Sequence, residues 1–143
     1  MSKLFSVFAV TLALVVSSSS GILIGLPISQ AQIPTGCTAT TTAAIAGKIA
    51  NGHSWRKHRS EYIAGTVIAG LAMPASPRIA TIPAFKTLIQ SVMGSTSKKA
   101  LPNRRKAYWG ASTGTIVFHD PANPDCGTAF RPVNGKRYYD NQK

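Results

Sequence analysis

The first 31 residues most constrain what this chain can fold into, because their pattern is that of a segment removed during export. After a positively charged start, Leu4–Val16 is apolar, and a serine run and a second apolar stretch follow. Ser29 and Ala31 then place small residues at the −3 and −1 positions of a cleavage site. We therefore predict a secretory signal peptide over residues 1–31 and a secreted or periplasmic mature domain over residues 32–143. The alternative is an uncleaved membrane anchor, since the combined apolar run is long enough to span a bilayer.

The charge of the mature domain is strongly unbalanced. The whole chain has 16 Lys and Arg against 4 Asp and Glu, a net charge of +12, and the predicted signal peptide contributes only Lys3 to that total. Because carboxylates are so few, a carboxylate-rich Mg²⁺ or Ca²⁺ site and a paired-carboxylate glycosidase are both disfavoured. The surplus of positive charge indicates an anionic partner, either a nucleic acid or an anionic membrane surface.

Two cysteines, Cys37 and Cys126, remain in the mature domain. In an exported protein, two cysteines predict one disulfide bond, which here would tie the mature N-terminus to a loop near the C-terminus. A cysteine nucleophile or a metal-binding pair is the alternative, but neither cysteine belongs to a CxxC motif or a Cys–His cluster. The sequence therefore predicts a disulfide and no metal.

Hydrophobic periodicity predicts helices in the first half of the domain and strands in the second half. The predicted helices cover residues 41–50, 53–64 and 82–93, and the predicted strands cover residues 106–109, 115–119, 127–131 and 136–139. Residues 65–80 have no clear pattern, residues 95–105 read as a basic loop, and Asn134-Gly135 is a hairpin signal before the last strand. This order predicts an α+β fold, with N-terminal helices packed on a C-terminal four-stranded antiparallel sheet, a meander.

Two of the three histidines, His53 and His58, lie in one basic helical segment. On a regular helix His53 and Lys57 share a face, whereas His58 lies about 140° around the axis from His53. The cations Arg56, Lys57 and Arg59 favour the neutral imidazole that a general base requires at His58. The alternative is a solvated basic helix whose histidines have no chemical role.

A second candidate set lies in the third predicted strand. Strand alternation places Thr128 and Phe130 on one face and Arg131 on the other. A hydroxyl, an aromatic ring and a guanidinium can hold a phosphate and stack a base, although ordinary sheet packing with a surface arginine is the alternative. Further substrate-binding candidates are the basic or aromatic residues Arg105, Lys106, Trp109 and Tyr138.

The order of short motifs along residues 50–140 is also informative. A helix with Lys-His-x-x-Glu-Tyr precedes an amphipathic helix, then Arg-Arg-Lys-Ala-Tyr-Trp, Thr-Ile-Val-Phe and Gly-Thr-Ala-Phe-Arg-Pro. This order resembles the C-terminal nuclease domain of colicin D and related bacterial polymorphic-toxin ribonucleases, in the broader group of barnase, EndoU, colicin and RelE-like ribonucleases. The signal peptide and the disulfide depart from that pattern, because those toxins are usually C-terminal modules of large delivery proteins.

The resemblance implies an endoribonuclease that acts on RNA, including tRNA. It implies His58 as the catalytic base, Thr128 as a contact of the scissile phosphate, Phe130 as the aromatic position and Arg131 as the basic position. Cleavage by the 2′-OH, giving a 2′,3′-cyclic phosphate, needs a base, an acid and cations but no metal. His53 or Lys57 is the candidate acid.

We expect no cofactor, a monomer, and an immunity or inhibitor protein as a further partner. A different class of protein also fits these sequence features: a non-catalytic secreted basic module that binds nucleic acid or another polyanion.

Overall fold

The computed structural model of the protein describes residues 35–63 and 78–143. All of them belong to one unit of the chain, Gln32–Lys143. The predicted signal peptide, residues 1–31, and most of the segment without a clear pattern lie outside the described residues. None of the helices in the described ranges combines the length and apolar character needed to cross a membrane.

Three helical elements come before the sheet, as the hydrophobic periodicity predicts. Helix α1 spans Thr42–Asn51, helix α2 spans His53–His58 and continues into a 3₁₀ turn over Arg59–Tyr62, and helix α3 spans Ile82–Met93. A threonine side chain accepts a backbone N–H at the start of both α1 and α3, which is the standard N-cap of a helix. The apolar positions of α1 and α3 face each other and the sheet.

The sheet has four antiparallel strands in the order in which they occur along the chain. Strand β1 spans Lys98–Ala100, β2 spans Lys106–Gly110, β3 spans Thr115–His119 and β4 spans Gly127–Phe130. Each strand pairs with the next one, so the sheet is a meander. The predicted α+β class, with helices packed on a four-stranded antiparallel sheet, is confirmed.

The two faces of the sheet are covered differently. One face packs Tyr108, Val117 and Ala129 against the apolar sides of α1 and α3. The other face carries Trp109, Ile116 and Phe118 and packs against Tyr139, which lies on a short C-terminal helix. This helix, α4, spans Lys136–Asp140. The second face therefore receives its cover from the end of the chain.

The prediction of a strand over residues 136–139 is wrong, since the chain forms α4 there. The sheet edge at β4 is already occupied by α2, as described below, and the ring of Tyr139 stacks on Trp109 with centroids 6.2 Å apart. The ammonium of Lys99 donates to the carbonyls of Tyr139 and Asp140 at 3.2 and 2.7 Å, which stabilises the helix C-terminus. Tertiary packing thus outweighs the β-propensity of two adjacent tyrosines.

The fourth strand of the sheet is instead β1, within the segment predicted to be a basic loop. It has three residues, of which two are lysines, and it pairs only with β2. A strand this short has no periodicity that a sequence pattern can reveal, because pairing with a distant segment defines it.

Helix α2 lies along β4 at the edge of the sheet. The hydroxyl of Ser54 donates to the carbonyl of Ala129 at 2.8 Å and accepts from the N–H of the same residue at 2.9 Å. Both side-chain bonds are buried. They take the place of the ladder bonds that another strand would make, so they fix α2 beside β4.

The predicted disulfide between Cys37 and Cys126 is confirmed. Cys126 is fully buried, and the N–H of Cys37 donates to the carbonyl of Pro121 at 3.0 Å. The bridge therefore holds the start of the described domain against the loop that joins β3 to β4. Chain-entropy arguments give a closed loop of this length a stabilisation of about 4 kcal/mol.

Candidate active site

The imidazole of His53 is paired with a carboxylate from the loop that precedes β4. Its Nδ1 lies 2.8 Å from Oδ2 of Asp125, and the same oxygen accepts the backbone N–H of His53 at 2.9 Å. These two hydrogen bonds from His53 lower the pKa of the Asp125 carboxyl below its ordinary value. An ionised carboxylate only accepts, which assigns the hydrogen to Nδ1 and leaves Nε2 of His53 available to a substrate.

The close approach of Asp125 depends on a glycine at the start of α2. A Cβ atom on Gly52 would lie 2.5 Å from the carboxyl carbon of Asp125, closer than real Cβ contacts allow. Gly52 is the N-cap of α2 and has no side chain with which to cap it. The carboxylate of Asp125 supplies that cap from another part of the chain.

The second histidine, at the other end of α2, also has a carboxylate partner. Nδ1 of His58 lies 2.6 Å from Oε1 of Glu61 in the following 3₁₀ turn. The imidazole also stacks on the ring of Phe130, with the centroids 5.1 Å apart and the planes 25° from parallel. Its side chain is 15% exposed. The carboxylate and the aromatic ring together fix the orientation of this imidazole.

Glu61 is itself held by the end of β4. Its second oxygen, Oε2, accepts the backbone N–H of Arg131 at 2.6 Å. The guanidinium of Arg131 donates to the carbonyl of Glu61 and to that of Thr113, both at 2.9 Å. Arg131 is only 3% exposed, so its side chain joins the 3₁₀ turn to the β2–β3 turn from inside the protein.

A pocket of about 250 Å³ opens on the sheet face that carries Thr128. His53, Thr128 and Phe130 form part of its wall. The Thr128 hydroxyl is buried and has no hydrogen-bond partner within the ranges that the structure describes. A buried hydroxyl without a partner is costly, which makes Thr128 in the pocket wall a candidate hydrogen-bond donor to a bound group.

Aromatic and basic side chains complete this pocket. Phe118 and Tyr138 lie beside Phe130, and the guanidinium carbon of Arg105 lies 5.7 Å from the centre of the Phe118 ring. Nε of Arg105 lies 3.9 Å from a carboxylate oxygen of Asp120, too far for a direct hydrogen bond. The pocket thus combines stacking surfaces with a cation, which suits a base and its phosphate.

A second pocket of about 310 Å³ shares Phe130 and Tyr138 with the first and includes Glu61. We call the two pockets together the aromatic groove. His53 lies in the wall of the first pocket, whereas His58 stacks on Phe130, a residue that both pockets share. The two histidines are five positions apart on α2, a rise of about 7.5 Å along the helix axis.

The structure brings some of the sequence-predicted candidates together. The candidates that line the aromatic groove or stack on its wall are His53, His58, Arg105, Thr128, Phe130 and Tyr138. His53 lines the groove and His58 stacks on its wall residue Phe130, although the two are far apart around the helix, because they are the first and last residues of α2.

The other candidates have different positions. Lys57 is exposed on α2 and is not part of the groove wall. Lys106 lines a separate groove of about 460 Å³ that also contains Lys98, Lys99 and Tyr108. Trp109 is 4% exposed and packs in the core, so its ring does not offer a stacking surface. Arg131 touches the groove but uses its side chain for internal hydrogen bonds, as described above.

Sequence reasoning missed two residues of this site, Glu61 and Asp125. Glu61 lies three residues after His58, a spacing at which side chains on a helix meet, and this was a local signal for the pair. Asp125 lies 72 residues from His53, so only the fold brings them together. The whole chain has four acidic residues, and two of them, Glu61 and Asp125, each pair with a histidine.

Among the described residues, no group of three or more His, Cys, Asp and Glu side chains lies together in a way that could hold a metal ion. Comparisons of the chain with protein-family models, with curated proteins and with solved structures found no match. The geometry of the aromatic groove is therefore the basis on which a function can be assigned.

Proposed function

We propose that the protein is an exported, metal-independent endoribonuclease, similar to the ribonuclease domains of bacterial toxins, that cleaves RNA through its 2′-OH group. The observation that carries this proposal is the arrangement around α2. A carboxylate-paired histidine lies at each end of one short helix, beside a groove whose wall includes Thr128. The buried hydroxyl of Thr128 has no hydrogen-bond partner among the described residues.

In the proposed reaction, Nε2 of His58 removes the proton from the 2′-OH, whose oxygen attacks the adjacent phosphorus. The bond from phosphorus to the 5′-oxygen breaks, and protonated His53 gives that oxygen a proton. The products are a 2′,3′-cyclic phosphate and a 5′-hydroxyl end. Glu61 and Asp125 hold the two rings by their Nδ1 atoms, so each ring presents its Nε2 atom.

Negative charge that develops on the phosphate oxygens needs donors already in place. Thr128 supplies a hydroxyl that has no competing partner in the described residues, and Arg105 supplies a nearby guanidinium. Phe118, Phe130 and Tyr138 supply aromatic surfaces for the bases on either side of the phosphate. We assign Arg131 a positioning role, because its hydrogen bonds go to protein carbonyls.

The direct test is incubation of the purified mature domain with labelled RNA in EDTA between pH 5 and 8. We expect cleavage to cyclic-phosphate ends, no cleavage of DNA, and protection by 2′-O-methyl groups. Substitution His58→Ala should reduce kcat by about 10²- to 10⁴-fold while the circular dichroism spectrum stays unchanged. Intact tRNA and total RNA across this pH range would overturn the enzyme proposal.

The roles of the two histidines are separated by a substrate with an activated leaving group, such as a nucleoside 3′-(p-nitrophenyl) phosphate. This leaving group departs without protonation. We therefore expect His53→Ala to be nearly as active as the unaltered protein on this substrate, whereas His58→Ala stays inactive. The opposite pattern would exchange the two roles.

The alternative proposal is a non-catalytic secreted module that binds nucleic acid or another polyanion. The observation in its favour is the β1–β2 hairpin, residues 98–110, which has five Lys and Arg and no acidic residue. This alternative predicts salt-sensitive binding without turnover and little effect of His58→Ala. The RNA cleavage assay above separates the two proposals.

A further inference from the structure

The disulfide bridge and the His53–Asp125 pair are connected through one short loop. Cys126 directly follows Asp125 and directly precedes β4, which begins at Gly127 and carries Thr128. The loop from Asp120 to Cys126 also contributes Asp120 and Asn123 to the groove wall. The disulfide bond at Cys126 thus holds the loop that supplies Asp125, the partner of His53, together with the wall residues Asp120 and Asn123.

Apart from the bridge and the buried side chain of Cys126, most of the backbone hydrogen bonds of this loop are its own. Its main backbone bonds are internal, from Asn123 to Asp120 and from Cys126 to Asn123, together with one from Asp120 to Cys126. Its bonds to other elements include the Cys37 N–H to Pro121, which itself depends on the bridge, and the two bonds from His53 to Asp125. The two bonds from His53 are only partly buried, and the residue of this loop that packs in the hydrophobic core is Cys126 itself.

The backbone around the bridge leaves little freedom for another arrangement. Cys126 has a positive φ of 63° and Gly127 a φ of 130°. A Cβ atom on Gly127 would lie 1.9 Å from the carbonyl oxygen of Phe118, so only glycine permits this approach of the loop to β3. The bridge therefore stabilises a backbone path that a non-glycine residue rarely adopts without support.

The pair formed by His58 and Glu61 does not depend on this loop. Its members are three residues apart. Glu61 is held by Arg131, which directly follows β4 at the end opposite Cys126. The two histidines of the groove thus have carboxylate partners with different anchors, one tied to the disulfide and one tied to the buried arginine.

We propose that Cys37 and Cys126 are positioning residues for His53, so that the groove is fully assembled only when the bridge is formed. A dithiol reductant opens the bridge: the S–S bond breaks, both cysteine sulfurs take up hydrogen, and the dithiol becomes a cyclic disulfide. The loop is then released, Asp125 leaves His53, and the proposed acid loses its orientation. This inference depends on the proposed function for its consequence but not for its structural test.

The consequence for a secreted nuclease is protection of the cell that makes it. Before export the cysteines are reduced and the His53–Asp125 pair is not held in place. After export a disulfide-bearing oxidant accepts two electrons and two protons from the cysteines, and the bridge completes the site. Such a protein is least active in the compartment in which it is synthesised.

The test compares the oxidised domain with the dithiothreitol-treated domain and with the double variant Cys37→Ser, Cys126→Ser, by nuclear magnetic resonance of the histidine rings and carboxyl carbons. In the oxidised protein we expect the Nδ1–H form of His53 and a lowered pKa for Asp125. In the reduced protein the His53 ring should lose this form and the pKa of Asp125 should rise to its ordinary range. The signals of His58 and Glu61 should stay unchanged, which makes them the internal control.

The same samples give the functional readout, an expected loss of about 100-fold in RNA cleavage on reduction, reproduced by Asp125→Asn in the oxidised protein. Unchanged His53 signals on reduction would overturn the proposal. Loss of the whole fold, seen by circular dichroism and tryptophan fluorescence, would also overturn it, because the bridge would then be a global stabiliser. If His53 responds to reduction but no sample cleaves RNA, the positioning role stands and the ribonuclease proposal fails.

Discussion

The imidazole of His58 lies against the ring of Phe130, with the centroids 5.1 Å apart, while its Nδ1 atom is 2.6 Å from Glu61. The ring is thus fixed by one neighbour in its plane and by another across its face. Two constraints of this kind define both the tilt and the rotation of an imidazole, which is the geometry that a general base requires. The first and third of the predictions that follow depend on this side of the aromatic groove.

The first prediction concerns the carboxylate that holds His58. In Glu61→Gln an amide oxygen still accepts the N–H of Arg131, but the negative charge that favours protonated His58 in the transition state is lost. We expect kcat for RNA to fall by about 10²-fold or more, with little change in KM. Asp140→Asn is the matched control, since Asp140 pairs with exposed Lys136 on α4. Equal activity of both variants would argue against a catalytic His58–Glu61 pair.

The second prediction uses the unpartnered hydroxyl of Thr128. Because its buried oxygen makes no hydrogen bond in the described residues, Thr128→Val should leave stability unchanged or raise it by up to about 1 kcal/mol. RNA cleavage should nevertheless fall, because the phosphate loses a donor.

Thr115 provides the comparison for Thr128. It is fully buried in β3, and its hydroxyl lies 3.0 Å from that of Thr113. Thr115→Val should therefore lose about 1 kcal/mol in urea denaturation. If Thr128→Val is destabilised as much as Thr115→Val, the Thr128 hydroxyl has a partner within the protein and is not reserved for a substrate.

The third prediction separates a structural role of Arg131 from a catalytic one. Arg131→Ala leaves the carbonyls of Glu61 and Thr113 without their buried donor, so we expect a loss of about 3 kcal/mol or more. The ammonium of a lysine cannot donate to the carbonyls of Glu61 and Thr113 at the same time as the planar guanidinium does. Arg131→Lys should therefore restore little of the lost stability. Urea denaturation measures both. A stable but inactive Arg131→Ala would instead support the phosphate-binding role that the sequence predicts.

The fourth prediction is a pH dependence of stability with two steps. Burial, and then the charge of Lys106, lower the pKa of His119 from 6.5, so the unfolded chain takes up a proton at pH values where the folded protein does not. Stability therefore falls as the pH drops below about 6.5, until His119 is protonated in the folded protein as well. Asp125 acts at lower pH. Its lowered pKa stabilises the fold above 3.8, and this contribution is lost as the pH falls through the folded-state pKa.

Urea midpoints between pH 2 and 8 check both steps. His119→Gln should flatten the upper step, and Asp125→Asn should flatten the lower one. Each variant is the control for the other, because His119 lies on strand β3 whereas Asp125 lies on the β3–β4 loop and caps the start of α2. If His119→Gln leaves the upper step unchanged, another group is responsible for it.

The fifth prediction holds for either proposed function. It concerns the cationic groove beside β1, which is the separate groove lined by Lys98, Lys99, Lys106 and Tyr108. Lys98 and Lys106 are exposed, and no carboxylate lies within 4.0 Å of either in the described part of the chain. The double variant Lys98→Gln, Lys106→Gln should reduce the slope of log Kd against log salt by roughly 1.4 for a single-stranded oligonucleotide. A 2′-O-methyl oligonucleotide keeps the measurement free of cleavage.

The matched control is Lys48→Gln, Lys86→Gln, which removes the same charge from α1 and α3. If the two double variants change the slope equally, binding follows net charge alone and the groove beside β1 is not a phosphate contact. A larger effect of the first pair locates the backbone of the nucleic acid on the β1–β2 hairpin.

Much of the fold follows from local patterns. Apolar spacing predicts α1 and α3 to within one or two residues, and β-branched and aromatic residues predict β2, β3 and β4. The errors concern elements defined by distant contacts. Strand β1 exists only through its pairing with β2, and α4 forms because the sheet edge is occupied and Lys99 reaches its last carbonyls.

The candidate site divides in a similar way. The alternation of Gly127–Phe130 correctly places Thr128 and Phe130 on one side of β4, because a strand has a fixed period of two. The partnership of His53 with Asp125 and the burial of Arg131 were not predictable, since both depend on contacts about 70 residues apart. A residue type shows which chemistry is available, but the fold decides which side chains remain free to perform it.

The two hydrogen bonds of Ser54 to Ala129 have a consequence for how this small protein behaves at high concentration. An open sheet edge is a template on which a second molecule can add a strand and begin to aggregate. Here a single hydroxyl closes that edge, and the lysines of β1 protect the opposite one. The helix that covers this edge also carries both histidines. A change at Ser54 would therefore open the edge of β4 to another strand and disturb the placement of both histidines in a single step.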